Sequence, residues 1–198
     1  MQKSQKTDQP FNLAFLGCGF ATSLHSKTFA NFKNEIRCYY ASRDENKALN
    51  YNRKYHGQGY FDSYEAAIHS KNIDIVLVAT PPSQHLDLTL LALDRGKHVI
   101  VEKPPFLNSA DFALVRKMQQ TSGCHVFVAE NYYYKPLAFK LRAIIHSNVI
   151  GEILFIHINA LKKQSTNNWR DDTALAGGGA LFEGGIHWIN FISNLGFT

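Results

Sequence analysis

Hydrophobic positions in this chain come in short apolar runs that stop on glycine, proline or charge. The runs lie at Phe11–Leu16, Ile36–Ala41, 73–80, 97–101 and 124–129. Their length and their β-branched and aromatic content predict buried strands. The segments between them carry apolar residues three and four apart. Phe20 and Leu24 open one such helix. A second runs from Asp44 through Ala48 to about Tyr55, and Gly57 and Gly59 then read as a break. Asp62 or Ser63 caps a short helix across Tyr64–His69. Ser83 caps one with Leu86, Leu90, Leu91 and Leu93, closed by Gly96. Ser109 caps one with Phe112, Leu114, Val115 and Met118, and a further helix covers 137–146. Strands alternating with helices imply βαβ units, a parallel sheet and right-handed crossovers.

The texture changes after Gly151. Residues 153–160 form a longer alternating run, the pattern of an antiparallel strand. A polar loop at 164–172 follows, then Gly177-Gly178-Gly179 and a helix through Ile192. The fold class is therefore α/β, a doubly wound parallel sheet, followed by the start of an α+β unit with a mostly antiparallel sheet. The expected domains are 1–131 and 132–198.

Composition narrows the picture. The 198 residues carry a net charge of +5 with no run of basic residues, which gives no expectation of nucleic-acid binding. Three widely spaced cysteines, Cys18, Cys38 and Cys124, argue for a reducing compartment, the cytoplasm, and against a disulfide framework or a zinc site. The polar start, 1–10, lacks the apolar core of a signal peptide. No apolar run reaches membrane-spanning length.

Three places carry chemistry. Gly17-x-Gly19-x-x-Thr22 follows a strand and opens a helix, where helix amides and dipole suit a pyrophosphate. Thr22 is larger than the glycine or alanine usual at the third position. The second strand ends in Ala41-Ser42-Arg43-Asp44. A hydroxyl and a guanidinium there suit a ribose 2′-phosphate and favour NADP, while Asp44, one residue late, is either a ribose partner for NAD or only a helix cap. The third place is Glu102-Lys103-Pro104-Pro105 at a strand's carboxyl end, where open α/β sheets place ligands. Lys103-Pro104 is the candidate cis bond. A surface ion pair is the plainer reading of Glu102 and Lys103.

With Ala79-Thr80-Pro81-Pro82-Ser83-Gln84-His85, Gly96-Lys97-His98-Val99, Glu130-Asn131-Tyr132 and Gly177-Gly178-Gly179-Ala180-Leu181, these motifs make the chain resemble the glucose-fructose oxidoreductase / inositol dehydrogenase (Gfo/Idh/MocA) family. The resemblance runs from about Asn12 to Leu195. It implies a Rossmann domain followed by a sheet domain that carries substrate and oligomer contacts. It also implies an NAD(P)-dependent oxidoreductase of sugars, cyclitols or related polyols, a small polar substrate, and a homo-oligomer in the full-length form. By position, Phe20 and Ala21 would cover the pyrophosphate. Thr80, Pro81 and His85 would line the cofactor, Glu102, Lys103 and Asn131 would adjoin the nicotinamide, and Trp169-Arg170 would approach from the second domain. Glu183 stands where the family usually has aspartate, four residues before His187. Family members are longer, so most of the second sheet would follow Thr198.

Oxidising a carbinol needs a positive partner for the developing oxyanion and a group that takes the proton. Lys103 fits the first need, and Glu102 could orient it. His187 fits the second, with Glu183 to hold it. A helix histidine packed at a domain seam is the plainer reading of His187. Tyr132-Tyr133-Tyr134 suits either a sugar pocket or packing. The rivals to the enzyme reading are a dinucleotide-binding sensor without turnover and an inactive fragment.

Overall fold

The computed structural model describes residues 9–161, 163 and 168–196. The start of the chain and residues 164–167 of the polar loop 164–172 therefore lie outside the described residues. The chain divides into two compact units, Met1–Val128 and Ala129–Thr198.

The first unit is a six-stranded parallel sheet in the order β3-β2-β1-β4-β5-β6. Its strands are β1 (Phe11–Leu16), β2 (Ile36–Ala41), β3 (Gly59–Phe61), β4 (Ile75–Val78), β5 (His98–Val101) and β6 (Val126–Val128). The helices are α1 (Phe20–Phe29), α2 (Glu45–Tyr55), α3 (Tyr64–His69), α4 (His85–Asp94) and α5 (Ser109–Ser122). Strand pleating sends alternate residues of β1 to opposite faces. Leu13 and Phe15 join Tyr40, Ala48 and Leu77 in one core, flanked by residues of α1 and α2. Ala14 and Leu16 join Val76, Val78, Val99 and Val101 in the other, with residues of α3, α4 and α5. A sheet buried on both faces explains why the strands read as nearly continuous apolar runs.

Three local details differ from the sequence expectation. The Gly57–Gly59 break holds the short strand β3, which pairs in parallel with β2 at the sheet's edge. Ser83 lies in a 3₁₀ turn, Pro82–Gln84, and the helix proper begins at His85. Asn108, not Ser109, is the N-cap of α5, and its own amide donates to Asp111 Oδ2 at 3.1 Å.

The second unit contains a 3₁₀ turn (Tyr132–Tyr134), α6 (Pro136–His146), a 3₁₀ turn (Trp169–Asp171), α7 (Thr173–Ala176), a π-helical turn (Leu181–Gly185) and α8 (Ile186–Ser193). Ala138, Phe191 and Leu195 form its small core with Tyr132, Leu141, Ile145 and Trp188. The strand expected at 153–160 is absent. A strand exists only through its ladder, and no other described segment of this unit is a strand that could pair with it. Leu154 and Phe155, 84% and 83% exposed, remain uncovered as a result.

Candidate functional site

In the first unit the site begins where the sheet changes direction. The chain runs outward from β1 through β2 to β3 and returns on the other side of β1 as β4. That reversal leaves a crevice at the carboxyl ends of β1 and β4, the usual ligand position in such sheets. Gly17 leaves β1 with φ +107°, and a Cβ there would stand 2.7 Å from the Ala79 carbonyl oxygen. Only glycine fits so close an approach. At Gly19, by contrast, a Cβ would meet nothing within 4 Å. The surface over Gly19 is open, and the following α1 amides face it as its N-terminus.

Thr22, the odd residue of the motif, is fully buried. Its Oγ1 donates to the Gly17 carbonyl at 2.5 Å. The turn is thus closed from inside by a hydroxyl rather than by a small packing residue. Tyr51 from α2 adds a bond to the Gly19 carbonyl at 3.1 Å. Phe20 is 74% exposed beside the turn, and Ala21 is half-buried.

At the end of β2, Ser42 is buried and its Oγ accepts from the Asp44 amide at 3.2 Å. Asp44 caps α2, accepting from the Lys47 amide at 3.2 Å. Arg43 is exposed. Its guanidinium lies beside the Tyr64 phenol and partly offsets the burial that pushes that phenol up.

At the end of β4, Thr80 is buried and its Oγ1 has no hydrogen-bond partner among the described residues. Pro81 caps the 3₁₀ turn that follows. His85 is 1% exposed and does not line a surface. Its Nε2 lies 2.9 Å from the Thr80 carbonyl and its Nδ1 3.0 Å from that of Pro104. Burial, the largest cause, pushes its pKa below the usual value, against the opposing pull of the two carbonyls and the Glu102 charge. A neutral ring donates to one carbonyl at a time. His85 thus ties the exit of β4 to the proline loop after β5.

The ladders fix where Lys103 stands. Leu16 pairs with Val78, and Val78 with Val101. Neighbouring strands are about 4.8 Å apart, so the ends of β1 and β5 lie about 10 Å apart across β4. Gly17 is one residue past the first end and Lys103 two past the second, on the same rim. The Lys103-Pro104 bond is cis. Glu102 accepts from His25 of α1, Nε2 to Oε1 at 2.6 Å, and from the Lys103 amide at 3.2 Å. A carboxylate only accepts, so that histidine nitrogen carries a proton. His25 was missed at the sequence level. Its only available signal was a polar residue in the second turn of a helix opening at the glycine motif.

In the second unit His187 is the centre. Its Nδ1 lies 2.8 Å from both carboxylate oxygens of Glu130. Its ring stacks on Tyr132, with centroids 4.3 Å apart and planes 14° from parallel. Glu183, expected to hold His187, accepts from Arg170 Nε at 2.5 Å. A guanidinium, charged at every working pH, is a stronger partner for a carboxylate than an imidazole. The carboxylate at His187 Nδ1 is Glu130, which carried no such role in the sequence. Arg170 also stacks on Trp169, 4.4 Å from the ring centroid. Asn131, exposed, opens the 3₁₀ turn of this unit. Among the described residues no group of histidine, cysteine and carboxylate side chains could hold a metal ion, and no helix is long and apolar enough to cross a membrane.

Known proteins are similar to this chain. Residues 11–130 match the model of an oxidoreductase family with an NAD-binding Rossmann fold, and 139–196 match a GFO/IDH/MocA C-terminal domain. Oxidoreductase P35 of Formosa agariphila is 29% identical over 91% of this chain and 59% of its own length. D-glucoside 3-dehydrogenase of Escherichia coli is 28% identical over 95% of this chain and 54% of its own length. A levoglucosan dehydrogenase solved in complex with NADH superposes with a TM-score of 0.82 at 24% identity, covering 94% of this chain and 54% of that one. The chain spans about half the length of the curated relatives it matches.

Proposed function

The chain belongs to the GFO/IDH/MocA oxidoreductase family, and on that premise we propose that its protein is an NAD(P)-dependent dehydrogenase or reductase of a sugar, cyclitol or related polyol. The observation that carries the reading is the shared rim. Gly17, Gly19, Thr80 and Lys103 stand at the carboxyl ends of three adjacent strands, β1, β4 and β5. The residues present fit a dinucleotide. The turn is open over Gly19, and the buried Thr80 hydroxyl has no partner among the described residues.

Gly17, Gly19, Phe20 and Ala21 hold the pyrophosphate by backbone amides and cover. Ser42 and Arg43 take the adenosine ribose. Asp44 is committed to capping α2, which leaves the Arg43 guanidinium as the group for a 2′-phosphate and supports NADP over NAD. Thr80 and Pro81 line the next stretch, and Glu102 and Lys103 adjoin the nicotinamide. The nicotinamide, when bound, supplies the hydride acceptor or donor. Lys103 sets a positive charge beside the substrate oxygen as its negative charge grows. His187 takes or returns the hydroxyl proton. Glu183 fixes Arg170, and with it the Trp169 face.

The names of the relatives support a sugar-like alcohol as substrate, since two of them are dehydrogenases of a glucoside and of levoglucosan. The test pairs binding with turnover. NADPH and NADH fluorescence titrations are run on the wild type and on Lys103→Ala, beside turnover of a panel of glucosides, anhydrosugars and cyclitols. Retained binding with turnover lost in the variant supports the reading. Turnover unchanged in Lys103→Ala overturns it.

A further inference from the structure

We propose that Glu130 is a positioning residue for His187, holding its proton on Nδ1 so that Nε2 is the nitrogen presented for proton transfer. The inference deepens the proposed function and rests on it for the role of His187. It stands on three contacts within one unit.

The first is the carboxylate. Both Glu130 oxygens lie 2.8 Å from His187 Nδ1, and both side chains are largely buried, at 10% and 15% exposure. An ionised carboxylate has no proton to give. Nδ1 therefore carries the hydrogen, and the neutral ring keeps its lone pair on Nε2. A histidine's reactive nitrogen is set by the bond that the other nitrogen makes.

The second contact fixes the carboxylate itself. The Tyr132 amide donates to Glu130 Oε1 at 2.8 Å. The orientation of Glu130 is thus set by the backbone of the turn that follows it.

The third is the ring. Tyr132 stacks on His187 at 4.3 Å, while Lys135 Nζ lies 3.2 Å from the same Tyr132 centroid. Two groups that close to one ring fit only on its opposite faces. The imidazole is gripped edge-on by Glu130 and face-on by Tyr132, two residues apart in sequence. Free rotation of the ring would break both. Of the other charged side chains of the unit, Glu183 is the natural rival, one helical turn before His187, and it pairs with Arg170.

The experiment reads the tautomer directly. Histidine nitrogens are labelled in the full chain, and the ¹⁵N spectrum is recorded where the rings are neutral. The His187 signal is identified by its loss in His187→Gln. The wild type is expected to show His187 mainly as the Nδ1–H form. In Glu130→Ala and in Glu130→Gln that form should fall below half, and either variant suffices if the other does not fold. Glu183→Ala should leave it unchanged. A dominant Nε2–H form in the wild type, an unchanged spectrum in both Glu130 variants, or a shift produced by Glu183→Ala overturns the proposal. The expected tautomer pattern in a protein that turns over no substrate supports the proposal and removes the acid–base reading of His187 instead.

Discussion

His25 Nε2 and Glu102 Oε1 lie 2.6 Å apart, joining the second turn of α1 to the residue that precedes Lys103. The pair links the helix that opens at the glycine turn to the strand end that carries the lysine. Both side chains are partly exposed, at 28% and 17%, so solvent screens part of the attraction. His25→Ala should lower unfolding stability by about 1 kcal/mol, the range of a single partly screened hydrogen bond to a charge. Urea titration of the wild type and the variant measures this, and no change would show the pair to be incidental.

Gly17 and Gly19 should respond to alanine in opposite ways. At Gly17 a methyl group meets the Ala79 carbonyl at 2.7 Å on a backbone with φ +107°. Gly17→Ala should cost about 2 kcal/mol or more of stability, through clash and left-handed strain. At Gly19 the backbone is extended, with φ −121°, and the space is open. Gly19→Ala should melt with the wild type yet bind NADPH and NADH at least tenfold more weakly, because the methyl group enters the ligand's space. Thermal melts beside fluorescence titrations separate the two outcomes.

Arg43 should discriminate between the cofactors. Its guanidinium is exposed at the end of β2, while the neighbouring Asp44 carboxylate caps α2. Arg43→Ala should raise the dissociation constant for NADPH by about tenfold, the loss of one charge-assisted contact, and change that for NADH by less than twofold. Calorimetric titration with both cofactors reads the ratio. Equal losses would show that the guanidinium does not meet a 2′-phosphate.

Much of the first unit was legible because its physics is local. The apolar runs and their glycine and proline boundaries carried five of the six strands. The sixth, β3, is three residues long and begins at a glycine, so edge pairing with β2 makes it a strand and composition does not. Thr22 was read as a flaw in the glycine motif. Its buried hydroxyl bonds to Gly17, a contact that only the folded turn creates. In the second unit the alternating run 153–160 lacks a paired neighbour, and alternation alone cannot supply one. The contact between His187 and Glu130 had no signal in the sequence. The i, i+4 spacing pointed to Glu183, and Glu130 comes from 57 residues away. Long-range pairing of side chains leaves no periodic trace.

His85 should make the fold acid-sensitive. Burial holds its pKa below the usual value, so the unfolded chain binds the proton more readily. The resulting stability is complete above about pH 6.5, the unfolded value, and is lost as pH falls from there toward the lower folded value. Urea midpoints should therefore drop between about pH 7.5 and about pH 5.5, and His85→Gln should flatten that limb. A wild-type midpoint that stays level across the window would contradict the buried, neutral ring.

The shared rim of β1, β4 and β5 is tested most directly by nuclear Overhauser contacts between bound NADH and this chain with its lysines isotopically labelled. The account predicts cross-peaks from the nicotinamide C4 protons to the Lys103 side chain, lost in Lys103→Ala while adenine contacts persist. Saturable NADH binding with no nicotinamide contact to Lys103 would contradict it.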